Sequence, residues 1–242
     1  MALRTMMSLM VAMAAATGLS AQTRAPESLL SKLLRIAGVT AAPSQMRGPG
    51  DEVAVGDIWI VNVDRPAARA LTTEGGYRSP IFLPNGSALL ALRSDTIVRL
   101  SLQDGKAVPV QNVPGILKLV GVDAASPAEV VVLLDAPAAG SPLAAVSLQS
   151  GKATPLPFDA SSDQERRVLA QIRAQDRTYG DATVYTKTET KPGLSRPVEW
   201  IDVFLRRGTA SPRNISACDG VNCVQPAMSA DGRIVAFVKA QD

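Results

Sequence analysis

The chain has 242 residues, 46% of them hydrophobic, 19% charged and 4% aromatic, with a formal charge of +3. It is apolar enough to bury a real core and too weakly charged for a disordered chain, and it lacks the dense basic surface that sequence-independent nucleic-acid binding needs, so no nucleic-acid partner is expected. It contains no histidine, which removes Ser-His-Asp and Cys-His catalysis, histidine-ligated zinc and an imidazole pH switch.

Residues 1–21 read as an export signal. Arg4 supplies the positive start, Met6 to Leu19 the apolar run, and Ala21 a small residue at the cleavage position. That run of about 14 residues is shorter than the roughly 20 needed to span a bilayer, which favours a cleaved signal over an uncleaved anchor. The expected location is periplasmic or secreted, with no integral membrane span after signal removal. Residues 22–56 hold a short amphipathic helix over Pro26 to Val39, with Leu29, Leu30, Leu33, Leu34 and Ile36 as its apolar positions and Ser28 near its start. A linker rich in Pro and Gly follows from Thr40 to Asp51.

After the linker, short β-runs alternate with turn residues, and the pattern repeats. Leu100 to Pro109 matches Val146 to Pro155 at an offset of 46 residues, each reading as strand, tight glycine turn, strand. Ser79 to Leu92 matches Gln225 to Val238 at an offset of 146, and Arg69-Ala70-Leu71-Thr72 matches Arg213-Asn214-Ile215-Ser216 upstream of them. Asn85-Gly86 and Asp231-Gly232 predict type I′ turns, in which both central residues have positive φ.

The succession Asp57-Ile58-Trp59-Ile60-Val61-Asn62-Val63-Asp64, Arg69-Ala70-Leu71-Thr72, Arg78-Ser79-Pro80 and Pro84-Asn85-Gly86 resembles the repeat of TolB-like β-propellers. The best copies are residues 57–92 and 202–238, with Phe82 and Met228 where that repeat usually has tryptophan. The resemblance implies an all-β fold over residues 57–242: a β-propeller of four four-stranded blades, or five if residues 22–56 supply part of one. N- and C-terminal strands would close it, with the short N-terminal helix and one helical insertion added. An incomplete arc of a larger propeller and another all-β arrangement are the alternatives. Strand pairs are expected at 57–71, 79–93, 97–110, 116–134, 143–156, within 166–190, at 199–216 and at 225–238.

In such a blade the tight glycine turns share one face, and the long connections share the other. The long ones are Thr73 to Arg78, Pro157 to Asp181, Lys191 to Arg196, and Ala217 to Val224, which makes the second face the expected binding surface. Its candidate residues are Glu74, Tyr77, Arg78, Asp219, Asn222 and Gln225. The insertion, about 161–178, reads as a helix capped by Ser162-Asp163-Gln164-Glu165, with Val168, Leu169 and Ile172 inward and Arg166, Arg167 and Arg173 outward. Arg166 and Arg173 join the candidates if this helix is a lid or docking element rather than packing.

Cys218 and Cys223 flank a turn-prone stretch and fit a local disulfide of an oxidising compartment better than a redox or metal pair. Trp59 and Trp200 suit strand packing more than ligand platforms. Asp64, Asp104 and Asp231 suit turn capping. Glu189 and Glu199 are a possible facing pair across the Pro192-Gly193 hairpin. No phosphate loop, metal-ligand cluster or cofactor signature is evident, so neither cofactor nor metal is expected. The expected function is an exported, noncatalytic scaffold that binds a cell-envelope protein or peptide. The rival is a lactonase-like propeller hydrolase using carboxylates and a divalent cation.

Overall fold

The computed structural model describes residues 32, 33, 36, 54–138, 141–157, 162–163, 177–193 and 196–241. The signal 1–21, the linker 40–51, most of the 26–39 helix, and nearly all of the 161–178 insertion with Arg166 and Arg173 lie outside the described residues.

Sixteen strands are described, running β1 (Gly56–Asn62), β2 (Arg65–Ala70), β3 (Tyr77–Phe82), β4 (Ala88–Arg93), β5 (Thr96–Ser101), β6 (Ala107–Asn112), β7 (Ile116–Asp123) and β8 (Ser126–Ala138). The rest are β9 (Ser141–Ser147), β10 (Ala153–Pro155), β11 (Arg177–Tyr179), β12 (Ala182–Lys191), β13 (Val198–Arg207), β14 (Arg213–Asn214), β15 (Cys223–Met228) and β16 (Ile234–Ala240). They form four-stranded antiparallel meanders: β3–β6 (first), β7–β10 (second), β11–β14 (third), and β15–β16–β1–β2 (terminal). The terminal meander joins the two ends of the described chain. Its β1–β16 ladder runs from Gly56 opposite Ala240 to Asn62 opposite Ile234. A single bridge between Gly56 and Tyr77 continues the bonding into the first meander. The expected strand pairs are all present.

Strands such as β4 and β16 carry near-continuous apolar runs because both of their faces are buried, whereas β6 and β10 are largely exposed. On β1, Ile58 and Ile60 enter one core with Leu89, Ala91 and Val98 of the first meander. Val61 and the partly buried Trp59 enter another with Val184, Val203 and Leu205 of the third. On β4 the alternate positions Leu90 and Leu92 pack with Ile116, Leu119, Val130 and Val132 of the second meander. Three inter-meander cores result: first–second, terminal–first and third–terminal.

Polar hooks reinforce these junctions. Arg69 on β2 donates to the Leu102 carbonyl of the first meander at 2.6 Å. The equivalent Arg213 on β14 donates to the Val63 carbonyl of the terminal meander. Ser79 and Gln225 occupy matching repeat positions, each just before a proline and each with positive φ, 53° and 55°. Both lie at β-bulges. The Gln225 Oε1 accepts from the Ser79 N–H, and the Ser79 hydroxyl accepts from the Leu119 N–H at 2.8 Å. These bonds offset the unfavourable backbone of two non-glycine residues.

The type I′ expectation is corrected. Only Gly86 and Gly232 have positive φ in their turns; Asn85 and Asp231 do not. The Gly86 N–H bonds to the Leu83 carbonyl and the Gly232 N–H to the Ser229 carbonyl, both at 2.8 Å. These are type I turns closed by a left-handed glycine. Pro84, with its fixed negative φ, suits the first central position and is incompatible with I′. The Asn85 and Asp231 side chains instead accept backbone N–H groups two residues on.

Candidate functional site

The long-loop face is built on a side-chain knot that occurs twice. In the terminal meander, the Thr72 hydroxyl accepts from Ile58 N–H at 2.9 Å and donates to Asp57 at 3.0 Å, while Asp57 also accepts from Gly75 N–H at 2.9 Å. In the third, the Ser216 hydroxyl accepts from Val203 N–H and donates to Asp202, and Asp202 accepts from Cys218 N–H, each at 2.8 Å. Asp202, 2% exposed, gains two more donors, Trp200 Nε1 and Asn214 Nδ2. Burial alone would raise its pKa, but these four hydrogen bonds outweigh it and hold the carboxyl below the usual range. Each knot ties a strand, β1 or β13, to the loop that leaves its hairpin partner, β2 or β14, and the Cys218–Cys223 disulfide tightens the second loop further.

The candidates on this face separate by burial. Tyr77 is 1% and Gln225 5% exposed, and the Gln225 amide donates to the Ala54 carbonyl. Arg78 is half-buried and donates to the carbonyls of Ser94, Ile116 and Leu117, bridging the first and second meanders; desolvation lowers its pKa. Asn222 accepts from Ile201 N–H through its side chain. Glu74 and Asp219 remain exposed, in ion pairs with Arg93 and Lys191 at 2.8 Å. The geometry therefore brings two charged pairs to the loop face and makes Tyr77, Arg78 and Gln225 part of the framework beneath it.

Other residues are placed as follows. Trp59 and Trp200 are partly buried, with the ammonium groups of Lys239 and Lys191 over their rings. Glu189 pairs with Trp200, and Glu199 with Thr190. The two glutamates thus sit on opposite faces of the hairpin, because neighbouring strand positions alternate; the facing-pair expectation is corrected. Asp104 and Asp231 cap their turns as expected.

A cavity of about 670 Å³ opens at the other face, among the tight turns. Its walls are the ends of β3, β7, β11 and β15, the first strand of each meander, with their following turns, together with Ala182, Arg207 and Ile36. Phe82, Val120, Val122 and Met228 supply apolar surface, and Tyr179 a phenol whose pKa is raised by burial. Asp181 and Asp231 are exposed lining residues. Sequence reasoning passed over this region because it weighed loop length. The available signal was that Phe82 and Met228 occupy one repeat position. Among the described residues, no three Asp, Glu or Cys side chains converge in a way that could hold a metal ion.

No family model matches the chain, and no curated protein does. Among solved structures it is similar to a protein described as TolB from Agrobacterium tumefaciens, with 16% identity and a TM-score of 0.35 over 76% of this chain and 61% of that one. It is also similar to an oligogalacturonate lyase solved with manganese, at 18% identity and TM-score 0.37 over 58% of this chain and 40% of that one. A third is the oligogalacturonate lyase of Vibrio parahaemolyticus, at 19% and 0.32 over 53% and 38%. The chain thus spans less than two thirds of each of these proteins. At such distances the description of this fold rests on its own strand pairing.

Proposed function

We propose that this chain is an exported, propeller-type scaffold that binds a cell-envelope protein or peptide through its long-loop face, without catalysing a reaction. One observation carries the reading: the loops of that face are pinned by polar knots, yet they leave charged side chains outside. Glu74, Arg93, Lys191 and Asp219 keep side-chain exposures of 65%, 45%, 49% and 80%. A surface already ordered before binding loses little further entropy on association, and charges at its rim set the encounter rate and discriminate between partners. Four meanders arranged as blades of a ring would hold such loops side by side. The Cys218–Cys223 disulfide fits the oxidising compartment to which the 1–21 segment would direct the chain. The described residues also include no helix long and apolar enough to cross a membrane.

The test is site-specific photocrosslinking in the producing cell. Crosslinkers at Glu74 and Asp219 are expected to capture one discrete protein adduct. Crosslinkers at Gln103 and Gln149, in turns of the opposite face, should not capture it. Equal capture from both faces, or none from either, overturns the reading.

A further inference from the structure

The corner where the β13–β14 turn meets the terminal meander carries arginines that the fold does not require, and the two repeat copies show which. Arg213 corresponds to Arg69, and both hook a backbone carbonyl of the next meander. Leu205 opposite Arg213 matches Ile60 opposite Arg69, so Arg207 corresponds to Asn62. Arg233 corresponds to Ser87, each following the glycine of its turn. The terminal–first junction thus holds together with Asn62, Arg69 and Ser87 at the positions where the third–terminal junction has three arginines.

Those three converge. Arg207 Nη2 donates to the Gly232 carbonyl at 3.2 Å, and Arg213 Nη2 donates to the Val63 carbonyl. The Val63 N–H in turn donates to the Arg233 carbonyl at 2.8 Å, so both acceptors and Arg233 lie on adjoining backbone. Each hook engages one nitrogen of its guanidinium and leaves the other N–H groups for a further acceptor. All three arginines are exposed, and among the described residues none of them forms an ion pair.

The neighbouring carboxylates do not cancel this charge. With the flanking Arg65 and Arg206, five arginines stand against Asp64, Asp181 and Asp231. Asp231 Oδ1 is already bonded to the Ser229 hydroxyl at 2.6 Å and to the Arg233 N–H at 3.1 Å. Between Arg207 and Arg213, the turn Gly208-Thr209-Ala210-Ser211-Pro212 is exposed throughout and built of small residues, which leaves room and adds two hydroxyls.

We infer that this corner binds the phosphate group of an anionic ligand, held by the guanidinium groups of Arg207, Arg213 and Arg233. A guanidinium presents paired N–H groups that match phosphate oxygens in spacing and charge. The phosphate can come from a dissolved phosphorylated molecule or from a lipid headgroup. The site lies on the tight-turn face, so it and the long-loop surface stand or fall separately.

The first probe is inorganic pyrophosphate, titrated calorimetrically into the full chain while sodium chloride holds the ionic strength constant. Joint Arg207→Gln and Arg233→Gln substitution, at positions where the matched junction has no arginine, should weaken binding at least tenfold. Should that variant not fold, Arg233→Gln alone gives the test. Joint Lys106→Gln and Lys152→Gln substitution removes as much charge from other turns of the same face and should change the affinity less than twofold. The second probe is cosedimentation with vesicles of phosphatidylcholine and phosphatidylglycerol. Pyrophosphate binding lost with the arginines assigns a dissolved ligand. Vesicle binding lost with them, without any response to pyrophosphate, assigns a headgroup, and losses with both probes assign the phosphate group they share. No binding of either probe, or equal losses in the arginine and lysine variants, would overturn the proposal.

Discussion

The junction between the terminal and first meanders differs from the one between the second and third. At the former, a shared core of Ile58, Ile60, Leu89, Ala91 and Val98 is backed by the Arg69–Leu102 bond and the Gly56–Tyr77 bridge. At the latter, no inter-meander core and no strand pairing occur among the described residues. Instead the N-terminal segment lies on the second meander: Leu33 is 4% exposed, Lys32 pairs with Asp123 at 3.2 Å, and Ile36 presses on Gly121. The matched segments 69–72 and 213–216, and 79–92 and 225–238, coincide with the well-joined part. Where Arg69, Thr72, Arg213 and Ser216 occur, the meanders lock together. The β10 segment Ala153-Thr154-Pro155 has no such arginine, and its meander relies on a borrowed segment.

The largest effect expected from breaking the well-joined part is at Asp202. Asp202→Ala would leave the donors of Cys218, Trp200, Asn214 and Ser216 without their acceptor, costing about 3 kcal/mol in denaturant unfolding. The matching Asp57→Ala, at a half-exposed site with fewer donors, should cost about 1 kcal/mol; equal losses would mean that burial does not separate the two knots. The pH dependence has a definite sign. Because the folded Asp202 pKa is depressed, its stabilisation is fully present above the unfolded carboxylate value near 4, and is lost as pH falls through the lower folded value. Asp202→Asn should therefore flatten the loss of stability on the acid side.

Next come two glycines, one at each junction. A Cβ on Gly105, which has φ +69°, would stand 1.7 Å from the Leu71 carbonyl oxygen. One on Gly121 would stand 2.4 Å from Ile36 Cγ2. Gly105→Ala strains a junction that cannot yield and should cost about 2 kcal/mol. Gly121→Ala should cost about 1 kcal/mol or less and act mainly by displacing the N-terminal segment, which limited proteolysis would detect as faster cleavage near residue 36. Unchanged cleavage would mean that the segment is held by more than this contact.

The smallest effect is at Arg69. Arg69→Ala removes one charge-assisted bond at a solvent-exposed site and should lower stability by about 0.5 kcal/mol. A loss indistinguishable from zero would leave the apolar core as the whole of that junction.

Much of this organisation was legible in the sequence because repetition fixes strand order even when periodicity is weak. The Ile58 and Val238 runs read as strands at opposite ends of the chain, and they pair. The knots were not legible. Asp57, Thr72, Asp202 and Ser216 all stood in matched segments, but nothing in one dimension shows that a threonine just past one strand meets an aspartate 15 residues before it. Gln225 and Tyr77 looked like loop residues because they follow loops, whereas the bulge at Gln225 and the packing around Tyr77 turn both inward. The turn type was misread for a related reason: Asn-Gly suggests I′, but both turns begin one residue earlier, with Pro84 or Ala230 as the first central residue and the glycine closing the turn rather than filling its second central position.

The ladder between β1 and β16 also sets a schedule for folding. Gly56 cannot meet Ala240 until the long stretch between them has been made, so this pairing carries the entropy of closing a very long loop and comes late. A chain made only as far as Ile234 would lack this ladder and leave one edge of β1 without its partner strand.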